Sequence, residues 1–302
     1  MPELPEVENT RRSLEPILGR TVLSVRLHRR DMLVVPGDPV GGWGRQGQHA
    51  PKPKRYTTPM LLSGMTLTRT LRHGKRFAIV GSLSGRSADR SPDRAVDRAV
   101  EIGLGMSGRV QILPARGPLP PHTHALWRLD DGSRLAFIDH RRFGGLWAWT
   151  SVEELHTHWK ATLGPDALTI TAAALAKGLA SAQRPVKAAL LDQRVLAGVG
   201  NIYADEACFE ARVAPHAIAA QLDPKAITRL ARAIRRILAA SVAKGGSTLR
   251  DYANASGSPG GYQQGHRVYG RARLACTSCD RVLVSDQVAQ RTTVWCPGCQ
   301  GA

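Results

Sequence analysis

The sequence is poor in aromatics: Phe, Trp and Tyr make up only 5% of its 302 residues. That argues against a surface built mainly from stacking platforms, as in many single-strand binders. Acidic residues are also few, 24 against 42 Lys and Arg, which leaves a formal charge of +18. Such an imbalance points to a polyanionic partner, because phosphates reward cations through counterion release. No run of about 18 apolar residues occurs, so no spanning helix is expected and no membrane partner. The opening MPELPEVENTRRSLEP is charged and lacks an apolar core of signal-peptide length, so a cytoplasmic location is expected. Cysteine is scarce too, and four of the five form two tight pairs near the C-terminus. This pattern fits metal binding in a reducing compartment and not a disulfide framework. The fifth, Cys208 in ACFEA, reads as a small core residue.

What is present is a chain with 42% hydrophobic residues, long enough for two or three compact domains. After the opening Pro-Glu-Leu-Pro-Glu, Val7, Leu14, Ile17 and Leu18 share one helical face and Gly19 is placed to stop it. From Val22 to Trp149 short apolar runs such as VLSVRL, RFAIVGSL, RVQILP and GGLWAW are bounded by Gly, Pro and Asp-Gly turns. Asp131-Gly132 predicts a hairpin. The polar stretches Pro36 to Pro59 and Ser84 to Glu101 read as solvated loops or insertions. Helical signals dominate from Ser151, where Ser151-x-x-Glu154 fits a capping box. Asp223 and Pro224 open a further helix with an apolar stripe of Ile227, Leu230, Ile234, Ile237 and Leu238, ended by Gly245-Gly246. The expected fold class is α+β. An N-terminal helix and antiparallel β-sandwich spans 1–150, a helical domain 151–246, and a small-residue loop with a cysteine-bearing segment 247–302.

Cys276-x-x-Cys279 and Cys296-x-x-Cys299 are separated by 16 residues. Each pair can bite through one tight turn, and four thiolates close a tetrahedron around one zinc ion. A dithiol redox role is the competing use of such a pair. Four cysteines leave no open coordination position, so the ion is expected to be structural. The segment between the pairs reads as a two-stranded hairpin with Arg291 near its tip.

Pro2 follows Met1 directly, a setting in which the initiator is readily removed. The secondary amine so exposed has a pKa near 8 and can form Schiff bases with carbonyl-level carbons. Glu3 and Glu6 stand close enough in sequence to move protons there. Taken alone, Met-Pro is common, and acids near a helix start are ordinary dipole partners.

The combination is more specific than its parts. MPELPEVE, LGMSG at 104–108, DHRRFGGLW at 139–147, GVGNIYADEA at 198–207, VYGR at 268–271, AQR at 289–291 and the paired cysteines occur in this order. The chain thereby resembles the bacterial formamidopyrimidine-DNA glycosylase family, enzymes that excise 8-oxoguanine and ring-opened purines. The resemblance implies a helix-two-turn-helix domain containing GVGNIYADEA, followed by a zinc hairpin, and damaged double-stranded DNA as the partner of a monomeric enzyme. By position, Pro2 looks like the nucleophile, Glu3 the acid that opens the sugar, Glu6 its support, and Lys75 the lysine bridging phosphate and active site. Met106, Arg141 and Phe143 match residues that fill the duplex where a damaged base has left, since a base cannot be attacked within the stack. Lys187, Asn201 and Arg291 match residues that hold the DNA backbone, and Tyr262 belongs to the lid over the flipped base. The implied reaction is base excision with β,δ-elimination, without a redox cofactor or a catalytic metal.

The chain also departs from the family pattern. Gly103 stands where the family commonly has His, so one expected backbone contact is missing. His140 replaces a frequent Pro, Val294-Trp295 stands where two aromatics are usual, and QGHR is an atypical lead-in to VYGR. Two alternatives stay open at this stage: an oxidised-pyrimidine enzyme of the endonuclease VIII type, and a damage-binding relative with weakened turnover. Leu4 and LGMSG favour the purine branch.

Overall fold

The structure, a computed structural model of the chain, describes residues 2–34, 58–83, 96–247 and 254–301. Two compact units emerge. One comprises Pro2, the described parts of 6–159, and 254–259; the other comprises 3–5, 160–247 and 260–301.

The first unit is a β-sandwich. Its four-stranded sheet has the order β1 (Val22–Leu27), β7 (Thr123–Leu129), β8 (Arg134–Ile138), β6 (Arg109–Leu113). Its five-stranded sheet has the order β2 (Leu33–Val34), β9 (Gly145–Trp149), β5 (Val96–Gly103), β4 (Arg76–Leu83), β3 (Thr66–His73). All pairings are antiparallel except the short β2–β9 ladder, which is parallel. Side chains alternate along a strand, and one set from each sheet forms a shared core. Phe77, Ile79, Val100, Ile102 and Leu146 meet Val25, Val110, Trp127, Leu135 and Phe137 there. Each such burial is worth roughly 1.5–3 kcal/mol. The Asp131-Gly132 hairpin joins β7 to β8, with Gly132 at φ +84° and Asp131 Oδ1 accepting from Ser133 N at 2.9 Å.

Three sequence expectations are refined in this unit. The first helix, α1 (Leu4–Arg12), stops well short of Gly19, and a separate 3-10 turn follows at Glu15–Ile17. Pro16 cannot continue an α-helix, since it has no N–H to donate. Val7, Leu14 and Ile17 are nonetheless buried together. The polar stretch at 84–101 is in part a strand: its last residues belong to β5, which lies inside the sheet between β4 and β9. Arg98 and Asp97 disguise its alternation, whereas Ala99 and Val100 are buried. The remaining residues of that stretch, and 36–57 of the other, lie outside the described residues. The capping box at the start of α2 (Val152–Thr162) forms its forward half, Glu154 N to Ser151 Oγ at 3.1 Å. The returning carboxylate bonds Thr150 instead, accepting from its N at 3.2 Å and Oγ1 at 2.7 Å.

The second unit packs α3 (Ala172–Leu179), α4 (Val186–Leu191), α5 (Asn201–Ala211) and α6 (Pro224–Ala243) around one apolar core. Asp223 caps α6 by accepting from Lys225 N, and Leu230, Ile234, Ile237 and Leu238 of its stripe are buried. Cys208 is fully buried in the same core, and burial pushes its thiol far above the ordinary range. A two-stranded hairpin, β10 (Val284–Val288) and β11 (Arg291–Trp295), follows. Its turn residues Ala289 and Gln290 both have positive φ, 52° and 58°, the mirror-image turn that matches strand twist.

Candidate active site and metal centre

Pro2 and Glu3 are both buried at the start of the chain. Within the second unit Glu3 is held by the N-terminus of α5. Its Oε2 accepts from Gly200 N at 2.6 Å and its Oε1 from Ile202 N at 2.9 Å. Leu4 N donates to Gly198 O at 3.1 Å beside it. The first N–H groups of a helix lack partners within the helix, and the end carries partial positive charge, so a carboxylate is well matched to it. Gly200 makes this possible: a Cβ there would stand 2.3 Å from Glu3 Cδ. The Glu3 carboxylate, next in sequence to Pro2, is thereby fixed in one orientation by two main-chain donors. Glu6 is buried on α1 in the first unit, and Lys75 is half-buried in the turn between β3 and β4.

Further along the first unit, two loops are clamped by one carboxylate. Asp139 is fully buried. Its Oδ1 accepts from Ser107 Oγ at 2.5 Å and from Arg141 N at 3.3 Å, and its Oδ2 from Gly144 N at 2.7 Å. Ser107 Oγ in turn accepts from Arg141 N at 3.1 Å. Met106 and Arg141 stand exposed on the two loops so joined, with the Arg141 guanidinium 4.8 Å from the Phe143 ring centroid.

In the second unit Lys187 is entirely buried, although a solvated lysine is the ordinary expectation for its residue type. Its Nζ pairs with Asp205 Oδ1 at 2.7 Å and donates to Thr292 O at 3.0 Å and Thr293 Oγ1 at 2.8 Å. Asn201 Nδ2 donates to the same Thr292 O at 3.1 Å, and Val294 N donates to Asp205 Oδ2 at 3.1 Å. Burial pushes the Asp205 carboxyl up to about 6, with the Lys187 ammonium opposing the rise. These bonds dock β11 on α5 and set Arg291, which is exposed, at the hairpin turn. Glu206, the next acid, accepts from Arg267 N, Val268 N and Tyr269 N at 2.8–3.0 Å and so fixes the VYGR segment. Tyr262 is buried in the helical core, with its ring 6.4 Å from Tyr203 and 5.8 Å from His266. Burial raises its phenol above the usual range.

The sulfurs of Cys276, Cys279, Cys296 and Cys299 all lie within 4.8 Å of one another. Two of the edges are 3.8 Å (Cys276–Cys299) and 3.4 Å (Cys279–Cys296). A tetrahedron of thiolates about 2.3 Å from a zinc ion has edges of about 3.8 Å, so the four residues can hold a metal ion of that kind.

The model of the formamidopyrimidine-DNA glycosylase N-terminal domain matches residues 1–146, and that of the family's H2TH domain matches 163–253. The chain belongs to the formamidopyrimidine-DNA glycosylase family. It is 39% identical over 308 residues to the formamidopyrimidine-DNA glycosylase of Thermus thermophilus, covering 100% of this chain and 99% of that one. It is 36% identical to the Shewanella baltica enzyme, covering 99% of each. Among solved structures it resembles the MutM (Fpg) protein of Thermus thermophilus, at TM-score 0.78 and 37% identity, covering 99% of each chain. It also resembles the Lactococcus lactis Fpg in complex with DNA containing an oxidised pyrimidine, at TM-score 0.80 and 27% identity over 100% of each chain.

For this glycosylase, sequence motifs named exposed residues such as Met106, Arg141 and Arg291 and buried ones such as Glu3, Lys187 and Tyr262, and passed over most of the groups that hold them. Gly200 and Ile202 cradle Glu3 through backbone N–H groups, which no residue type advertises. Asp139, Asp205 and Glu206 lie inside the quoted motifs; the signal for Asp205 and Glu206 was a pair of acids among apolar neighbours, whereas Asp139, followed by His140, Arg141 and Arg142, gave none. Among the described residues no helix is long and apolar enough to cross a membrane.

Proposed function

We propose that this glycosylase is bifunctional, excising oxidised purines such as 8-oxoguanine and formamidopyrimidines and then cleaving the strand. The observation that carries the reading is the Glu3 carboxylate locked to Gly200 N and Ile202 N, one residue from the Pro2 amine. With Met1 removed, the neutral Pro2 nitrogen attacks C1′ of the damaged nucleotide. An N–C1′ bond forms, the base leaves with the electrons of the glycosidic bond, and the proton released from the Pro2 nitrogen neutralises the departing base. Glu3 delivers a proton to the ring oxygen, the sugar opens, and an iminium joins Pro2 to C1′. Loss of a proton from C2′ then expels the 3′ phosphate, and a second elimination expels the 5′ phosphate.

Glu6 supports this site, and Lys75 bridges it to a phosphate. Met106, Arg141 and Phe143 occupy the space of the flipped base, supported in this by the Asp139 clamp that presents them together. Asn201 and Arg291 hold the backbone, with Lys187 setting the hairpin that carries Arg291. Tyr262 anchors the base of the lid. The four cysteines hold one structural zinc ion in a 247–302 module that follows a 1–150 catalytic and a 151–246 helical domain. The enzyme acts as a cytoplasmic monomer on duplex DNA.

Borohydride trapping tests the reading with duplexes carrying 8-oxoguanine, an abasic site or an oxidised pyrimidine. A covalent adduct on the first two, at the N-terminal proline by mass spectrometry, is expected. Adducts only with the oxidised pyrimidine would assign the enzyme to the other branch. An uncleaved N-terminal tag is expected to abolish strand cleavage and spare DNA binding; cleavage by the tagged protein would remove Pro2 from the role.

A further inference from the structure

Across the five-stranded sheet, Arg76 of β4, Gly103 of β5 and Gly145 of β9 form one rung, paired Arg76 with Gly103 and Gly103 with Gly145. It is the last rung at that end. The turn bearing Lys75 precedes Arg76, the loop bearing Met106 follows Gly103, and the loop bearing Arg141 and Phe143 precedes Gly145. The two glycines leave a flat surface on the sheet face opposite the core, and the Trp147 ring lies on it. A Cβ at Gly103 would stand 2.9 Å from Trp147 Cζ3, and one at Gly145 3.3 Å from Cη2. Any side chain at position 103 would displace the ring.

The Arg76 guanidinium sits 4.8 Å from the centroid of that ring. Its Nη1 donates to Glu101 Oε1 at 3.0 Å. Glu101 has no solvent exposure, and its oxygens also accept from Trp159 Nε1 at 3.1 Å and Trp149 Nε1 at 3.0 Å. The carboxylate is thus spent on internal donors, and it grips the guanidinium by a single nitrogen. The Arg76 side chain remains 26% exposed, and among the described residues Nη1 is its one hydrogen-bonded nitrogen.

We infer that Arg76 binds a backbone phosphodiester of the DNA through its remaining guanidinium N–H groups. The inference rests on the DNA-glycosylase reading above. A planar fork held at one corner and stacked on an indole has little rotamer freedom left to lose, so its free edge is preset for two phosphate oxygens. Cation–π stacking orients it without neutralising it. Glu101 and Trp147 are positioning residues for Arg76. Gly103 is required by the same arrangement, so the loss of one backbone contact at that position is matched by a cation supplied from the neighbouring strand.

The test is an anisotropy titration of the zinc-loaded, full-length protein against a duplex with a stable abasic analogue, repeated over a range of salt. Each phosphate contact contributes about 0.9 to the slope of log affinity against log salt. Arg76→Gln is expected to weaken binding about tenfold and to reduce that slope by about 0.9. Arg76→Lys is expected to restore the slope and only part of the affinity. Should the single variant not fold because Glu101 is left buried without its cation, Arg76→Gln with Glu101→Gln keeps the net charge, removes the buried carboxylate and leaves one carbonyl acceptor for the indoles. It is expected to show the same loss of slope. A folded Arg76→Gln or double variant with the parent's slope overturns the inference, even if its melting temperature falls, since a purely structural role lowers stability alone. A parent protein that does not bind the duplex would overturn the glycosylase reading as well.

Discussion

At the scale of single residues, the site depends on backbone that side chains cannot substitute for. Glu3 accepts from two main-chain N–H groups, and the close approach at Gly200 leaves no room for a methyl group. Gly200→Ala is therefore expected to push the carboxylate out of its cradle. Excision is expected to fall by about 10²-fold or more, the range for a displaced general acid, with a much smaller change in melting temperature. Single-turnover excision on 8-oxoguanine duplex checks this, and parent-like rates would show that the cradle is dispensable. Asp139 makes the complementary case. Its two oxygens serve Ser107, Arg141 and Gly144, so Asp139→Ala orphans buried donors and is expected to cost about 2–4 kcal/mol in urea unfolding. A loss below about 0.5 kcal/mol would mean that the two loops hold themselves.

At the scale of elements, what could be read in the sequence was what repeats with a period. The stripe of α6, the Asp131-Gly132 hairpin and the two cysteine pairs obey local rules, and all stand where those rules put them. β5 and the end of α1 were harder to read because tertiary context decided them. β5 carries Asp97, Arg98 and Glu101, and its acids are satisfied by partners distant in sequence. The candidate site divides the same way: the reactive groups have telling residue types, and the buried carboxylates that position them do not. Glu8 on α1 is a further buried carboxylate, paired with Arg11, Arg12 and Arg72. Burial favours its neutral form, but hydrogen bonds from Arg11 and Arg12 and the charges of Arg11 and Arg72 overcome that and hold its carboxyl down at about 2. An unfolded Glu8 protonates near 4.5, so the stabilisation is complete above that pH and is lost as pH falls towards 2. Glu8→Gln is expected to cost on the order of 3 kcal/mol at pH 6 and less than half as much at pH 3. Urea midpoints at the two pH values decide it, and an equal gap at both would show that the pairs to α1 and β3 do not depend on the ionised form.

At the scale of the whole molecule, net charge and specific geometry make different contributions to DNA binding, and the metal centre separates them. A charge of +18 attracts any duplex, whatever its sequence or damage. Recognition of a lesion needs groups held in place, and in the second unit β11 is held on α5 through Thr292, Thr293 and Val294. A two-stranded hairpin is marginal on its own, so a metal ion held by the four cysteines would supply its folding energy. Without it, Lys187 and Asp205 remain as a buried pair stripped of their hairpin partners, an arrangement costly in its own right. Cys296→Ser is accordingly expected to lower metal content from one ion per chain and to lower the melting temperature. Affinity for intact duplex should change little, because the chain keeps nearly all its cations, while affinity for an abasic-analogue duplex should fall at least tenfold. Metal analysis with competitive titration against both duplexes measures the two terms together. Full metal content would refute the ligand set. An equal loss on both duplexes would mean that the hairpin contributes charge and not lesion recognition.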